Sequence, residues 1–346
     1  MNILAILTVR NEGAFLLEWL AHHRSVGFTD FLVFSNDCAD GTDAMLDRLH
    51  KLGLITHVAN DGPHPEGPQW AALKKADKHP LRKSADWLMA LDIDEFVNIH
   101  VGDRTLSALL AALPEASAIP LTWRFFGNAG HVRYEDKPLT RRFVRAAPSV
   151  LYWPWRAALF KTLFRNDGVY AKLGVHRPRN PDKDRLHQVR WFDGSGRRLG
   201  PHFHTTRIYS DFGQDNYRLA QLNHYALGSM ESYIVKADRG RANRDAAAFD
   251  VSYWVERNFS QEMEDSVTRL PLDLAGLLAD PPLQRLHQNA VQWRQERFES
   301  LMLREPFRAL FGRLLMTPPT RALPQTEARF LLNYARLAAE APPDEG

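Results

Sequence analysis

A single cysteine, Cys38, in 346 residues excludes an intrachain disulfide and suits a chain that folds in a reducing compartment. No apolar run reaches the roughly 20 residues that a membrane-crossing helix needs. The first, Ile3 to Val9, is too short and has no basic leader before it, and the stretch from Leu106 to Leu121 is interrupted by Pro114 and Glu115. The expectation is a cytoplasmic protein without a transmembrane segment, peripheral membrane contact being left open. No dense cationic stripe is present: 44 Lys and Arg stand scattered among 41 Asp and Glu, a formal charge of +3, so a nucleic-acid partner is not expected. Internal repeats and low-complexity tracts are missing too. What remains is an ordinary globular composition, 45% hydrophobic and 25% charged, able to bury a large core.

The first half alternates strand-like and helix-like segments, which predicts helices packed on a mixed, mostly parallel sheet. Ile3 to Val9 reads as a strand buried on both faces. Phe15 to Val26 has Leu16, Trp19, Leu20 and His23 at helical spacing, with Gly27 placed to stop the helix. Strands are expected at Phe31 to Phe34 and Leu54 to Val58, with a helix through Met45, Leu46 and Leu49 between them. An irregular loop, Asn60 to Pro68, then leads to a helix at Gln69 to Ala76 and a fourth strand at Trp87 to Ile93. A helix at Thr105 to Leu113, a strand at Ala118 to Trp123 and a helix at Ser229 to Arg239 follow. From Gln261 onward the pattern is helical. The expected layout is one α/β domain over 1–245, with halves 1–100 and 101–245, and a helical C-terminal appendage over 246–346.

Chemistry is expected where the fourth strand ends, at Asp92-Ile93-Asp94-Glu95-Phe96. In an open α/β sheet, ligands gather at the carboxyl ends of strands. If the strand persists, Asp92 and Asp94 point the same way and present hard oxygen ligands to Mg²⁺ or Mn²⁺. Such an ion can neutralise a diphosphate leaving group. An acidic triplet alone is common and reads equally as a solvated strand exit. The apolar flanks and the mutual repulsion of three carboxylates favour a cation.

Several segments together resemble one family. Thr8-Val9-Arg10-Asn11-Glu12, Glu18-Trp19-Leu20-Ala21-His22-His23, Gly27, Ser35-Asn36-Asp37-Cys38-Ala39-Asp40-Gly41-Thr42, Leu91-Asp92-Ile93-Asp94-Glu95-Phe96, Trp123-Arg124-Phe125-Phe126-Gly127 and His224-Tyr225 are similar, in order and spacing, to bacterial family-2-like glycosyltransferases related to family 92. The resemblance runs from about Thr8 to Gly240. It implies a GT-A fold, a Rossmann-like nucleotide-diphospho-sugar transferase with a DxD metal motif, and an inverting transfer in polysaccharide biosynthesis. The implied partners are a nucleotide-sugar donor and a glycan or lipid-linked acceptor.

Carried onto matching positions, the resemblance puts Thr8, Arg10, Asn11 and Glu12 with Asp37 and Asp40 around the nucleotide, and Gln69 and Lys74 near the donor. Asp40 also reads as a helix entry. Asp92 would bridge ribose and metal, Asp94 would bind the metal directly, and His224 would be the third ligand, ahead of His176. His202 and His204 are further candidates, since two imidazoles two residues apart share one face of a strand. The catalytic base is open among Glu231, just after His224-Tyr225 at the expected start of a helix, Glu95 and Asp211, none of them fixed by spacing. Lys236 and Arg239 suit phosphate oxygens, though exposed helix charges are the commoner case. Trp123, Phe125, Phe126, Tyr152, Trp153 and Trp155 are either acceptor-stacking or core residues. Gln188-Val189-Arg190-Trp191 falls one residue short of the motif of processive family-2 enzymes and is discounted. The alternatives are an Asp-x-Asp phosphatase, or a catalytically silent carbohydrate- or nucleotide-binding module.

Overall fold

The computed structural model describes residues 1–240 and 249–340. The expected boundary at 245/246 falls outside the described residues. Eight strands form one sheet: β1 (Ile3–Val9), β2 (Asp30–Ser35), β3 (Thr56–Ala59), β4 (Trp87–Leu91), β5 (Glu95–Ile99), β6 (Ala118–Phe125), β7 (Phe160–Arg165) and β8 (Ala220–His224). Their spatial order is β3-β2-β1-β4-β7-β6-β8-β5. The first four are parallel. β7 runs antiparallel to β4 and β6, β8 lies parallel to β6, and β5 closes the edge antiparallel to β8. This is the mixed, mostly parallel sheet expected.

β1 is buried at all positions but Thr8, as a strand covered by helices on both faces requires. On one face lie helices α1 (Gly13–Val26), α2 (Thr42–Lys51) and α4 (Leu106–Ala112); α3 (Pro68–Ala76) covers the other. Gly27 ends α1 in the left-handed conformation, its amide bonded to the carbonyls of His23 and Arg24. One expectation needs correction. The fourth strand stops at Leu91, not Ile93, because the Glu95 amide donates to the Asp92 carbonyl (3.1 Å) and the Asp92 amide to the Glu95 carboxylate (2.8 Å), closing a turn. Trp19 clamps that turn, its indole N–H shared between the carbonyls of Asp92 and Glu95 at 3.1 Å each.

The long C-terminal helix is fastened to the helices that cover this sheet. α5 (Met230–Arg239) and α6 (Pro281–Met302) pack together, and α6 also lies on α1 and α2. Gly127, the last residue of the Trp123-to-Gly127 motif, is there for space: a Cβ would stand 2.2 Å from the Phe259 carbonyl oxygen. Gly127→Ala is therefore expected to cost about 2–3 kcal/mol in urea denaturation, through overpacking against backbone that has nowhere to go.

His22 and His23 on α1 are buried. His22 is hydrogen-bonded to the Val97 carbonyl at 2.8 Å, and burial lowers its pKa from 6.5 to about 4. His23 is pushed the same way by burial and by His22. The unfolded chain takes up these protons as pH falls through 6.5, whereas the folded chain resists until far lower. His22 thus supports the fold fully above pH 6.5, and that support is lost as pH falls toward 4, by about 3 kcal/mol. In thermal melts between pH 7.5 and 4.5, His22→Gln is expected to show a shallower pH slope than the wild type.

Candidate active site

Asp92 and Asp94 each face a different ammonium. Asp92 accepts from Lys161 (2.9 Å) through one oxygen and from the Gln69 amide (2.8 Å) through the other. Asp94 accepts from Lys236 at 2.7 Å. Lys161 stands on β7 and also faces Glu95 at 3.5 Å; its side chain is 1% exposed and that of Glu95 0%. Glu95 accepts the Trp123 indole N–H at 2.6 Å. The side chains of Asp92 and Asp94 are 36% and 18% exposed, so both border solvent and are open to a ligand. Repulsion among three carboxylates, the sequence argument for a metal, is thus already relieved by two lysines.

Burial works against the Lys161 ammonium, but Asp92 and Glu95 hold its pKa above the ordinary lysine value. Burial raises Glu95 above the usual carboxylate range, against the pull of Lys161. For Asp94 burial is outweighed by Lys236 and His224, which hold it well below that range. His224 ends β8 opposite Glu95 in the ladder, its Nε2 3.7 Å from Asp94 Oδ1 and its ring 4.3 Å from that of Trp123. Burial lowers its pKa, opposed by Asp94. His176 also packs edge-on against Trp123, ring centres 5.7 Å apart, bonded through Nδ1 to the Phe160 carbonyl, with its pKa lowered to about 4 by burial and Lys161.

These residues fit a divalent ion in part. A separation of 3.7 Å is too long for a hydrogen bond. Neighbouring donors at about 2.1 Å from one octahedral ion stand about 3 Å apart, so a shift of under an ångström would bring both atoms within reach of one ion. Among the described residues no cluster of three His, Cys, Asp or Glu side chains suited to a metal is present. Asp92, with both oxygens bonded to Gln69 and Lys161, stands beside the pair.

The nucleotide candidates fall at the ends of β1 and β2. Asn11 and Asp37 both have left-handed backbones, with φ of 54° and 44°. Asn11 accepts the Ala39 amide and Asp37 the Gly62 amide, tying neighbouring loops together. Glu12 pairs with Arg239, which also donates to the Arg10 carbonyl. Thr8 pairs with Phe34 in the ladder. Asp40 is turned inward, where its oxygens accept the Gly13 and Thr42 amides and the Thr42 hydroxyl, the helix-entry role.

Other candidates lie elsewhere. Lys74 pairs with Glu66 on the surface. Glu231 accepts the Tyr134 amide at 2.8 Å and sits about 140° round α5 from Lys236. Asp211 pairs with Arg207. His202 and His204 share no strand face: Pro201 opens a short helix, Pro201–Thr205, in which residues two apart diverge. Phe125, Phe126 and Trp191 are core residues. Lys161 was not anticipated at all, although a lysine inside the apolar run Phe160 to Phe164 was the signal available.

The sequence profile of glycosyltransferase family 92 matches residues 7–195, more than half of the chain. The chain belongs to glycosyltransferase family 92. A family 92 protein of Oryza sativa subsp. japonica is 23% identical over 142 residues, 38% of this chain and 22% of the relative. One of Ricinus communis is 26% identical over 99 residues, 27% of this chain and 16% of the relative. The chain therefore spans about a fifth of the length of these relatives. Among solved structures, S. aureus TarS in complex with UDP is 15% identical at a TM-score of 0.29, covering 48% of this chain and 47% of that one. Glucosyl-3-phosphoglycerate synthase from Mycobacterium tuberculosis, in complex with Mn²⁺, UDP and glucosyl-3-phosphoglycerate, is 17% identical at 0.24, covering 35% and 44%. The matched family segment holds Asp92, Asp94 and Lys161, whereas His224 and Lys236 lie beyond it.

Removing Lys161 strands two carboxylates at a buried site. Lys161→Met is expected to lose about 3–5 kcal/mol in urea denaturation, with part of the loss recovered in the double variant Lys161→Met/Asp92→Asn.

Proposed function

We propose that this family 92 chain transfers a sugar from a nucleotide-diphosphate donor to a glycan or lipid-linked acceptor, in a metal-dependent, inverting reaction. The observation that carries the reading is the pair of solvent-bordering carboxylates at the mouth of β4, each backed by its own lysine and flanked by His224. Asp94 and His224 would hold Mn²⁺ or Mg²⁺, which when bound neutralises the diphosphate leaving group.

The chain's own side chains supply the rest. Gln69 and Lys161 fix the Asp92 carboxylate, which keeps lone pairs for the donor ribose. Asn11, Glu12 and Asp37 border the nucleotide where β1 and β2 end, and Lys236 and Arg239 bring positive charge to the diphosphate side. The acceptor hydroxyl requires a carboxylate base. Glu231 is its candidate from the sequence, and acting there means giving up the Tyr134 amide. A cytoplasmic role in polysaccharide biosynthesis belongs to the same proposal.

Incubation with a panel of UDP-, GDP- and dTDP-sugars and Mn²⁺ tests it. Donor hydrolysis or transfer is expected, reduced at least about 100-fold in Asp94→Ala through loss of charge stabilisation at the leaving group. Phosphate release from p-nitrophenyl phosphate without donor turnover would make it a phosphatase, and donor binding without turnover a silent module.

A further inference from the structure

Lys236 occupies a position that a donor complex contests. Its ammonium stands 2.7 Å from Asp94 Oδ2 and 2.7 Å from the Ala226 carbonyl, while Asp94 Oδ1 faces His224. One turn further along α5, Arg239 is tied to Glu12 and to the Arg10 carbonyl. These contacts draw α5 against the ends of β1 and β4. A diphosphate bound beside Asp94 competes with those ion pairs for the two cations.

We infer that Lys236 is an exchangeable counter-charge that makes metal and nucleotide binding cooperative. Without nucleotide, Lys236 neutralises Asp94 and repels a divalent ion from the Asp94 and His224 pair. When a diphosphate enters, the ammonium moves onto its oxygens, and Asp94 is released to the ion. Charge favours this exchange. The diphosphate carries more negative charge than one carboxylate, and the ion replaces on Asp94 the cation that has left. By reciprocity, metal raises nucleotide affinity by the same factor that nucleotide raises metal affinity. The inference rests on the donor and metal readings above, and adds the coupling between them.

The test is Mn²⁺ binding followed by the electron paramagnetic resonance signal of the free ion, on the full chain, with and without UDP or GDP. The wild type is expected to bind Mn²⁺ weakly alone and about tenfold or more tightly with the matching nucleotide. Lys236→Met is expected to bind Mn²⁺ about tenfold more tightly than the wild type without nucleotide, and to gain less than the wild type when nucleotide is added. Lys236→Arg, which keeps the charge, should restore weak binding in the absence of nucleotide, and a circular dichroism melt confirms that each variant is folded. Equal Mn²⁺ affinity in the wild type and Lys236→Met, with binding still lost in Asp94→Ala, overturns the counter-charge and leaves the metal site standing. Mn²⁺ affinity indifferent to Asp94→Ala overturns the metal site and the counter-charge with it.

Discussion

Lys161 lies inside the sheet with its ammonium between Asp92 and Glu95, and neither it nor Glu95 reaches water. Desolvating an ammonium and a carboxylate costs several kcal/mol each unless geometry and hydrogen bonds return the loss. Here they do, since Glu95 also accepts the Trp123 indole and the Asp92 amide, and Asp92 also accepts from Gln69. The turn after β4 therefore has little freedom. Asp92 is held at the cleft with its charge already matched, while Asp94 is left as the carboxylate whose partners can change.

That difference divides the motif by function. Asp92 belongs to the rigid part of the site, supported from β7 and α3, both of which also pack into the core. Asp94 belongs to the adaptable part, since Lys236 stands on α5, an element held from outside the sheet by α6. Arg294 on α6 extends this support. It is buried, lies over the faces of Phe15 and Tyr134, and donates to the Ser232 carbonyl on α5 at 3.0 Å. Residues beyond 249 thus help to hold the helix that carries Lys236.

Much of the fold was legible in the sequence, and the reason is periodicity. β1, α1, α2 and α3 show continuous apolar runs or helical spacing, and Gly27 announces its own left-handed turn. Three strands gave no such signal. β8, Ala-Gln-Leu-Asn-His, is buried at every position yet three of its five residues are polar, their needs met by partners across the sheet such as Arg124 and Asn98. β7 carries Lys161, and β5 begins with Glu95, both unfavourable in a buried strand until each is paired with the other. Compensation between residues 66 positions apart leaves no local trace.

The sequence by itself determined the family, the α/β layout of the first four strands and the acidic motif at the end of the fourth, because each is written in neighbouring residues. Tertiary structure alone decided which cations serve that motif. Lys161 and Lys236 reach Asp92 and Asp94 from a distant strand and a distant helix, and which charges meet in a low-dielectric interior depends on how those elements pack.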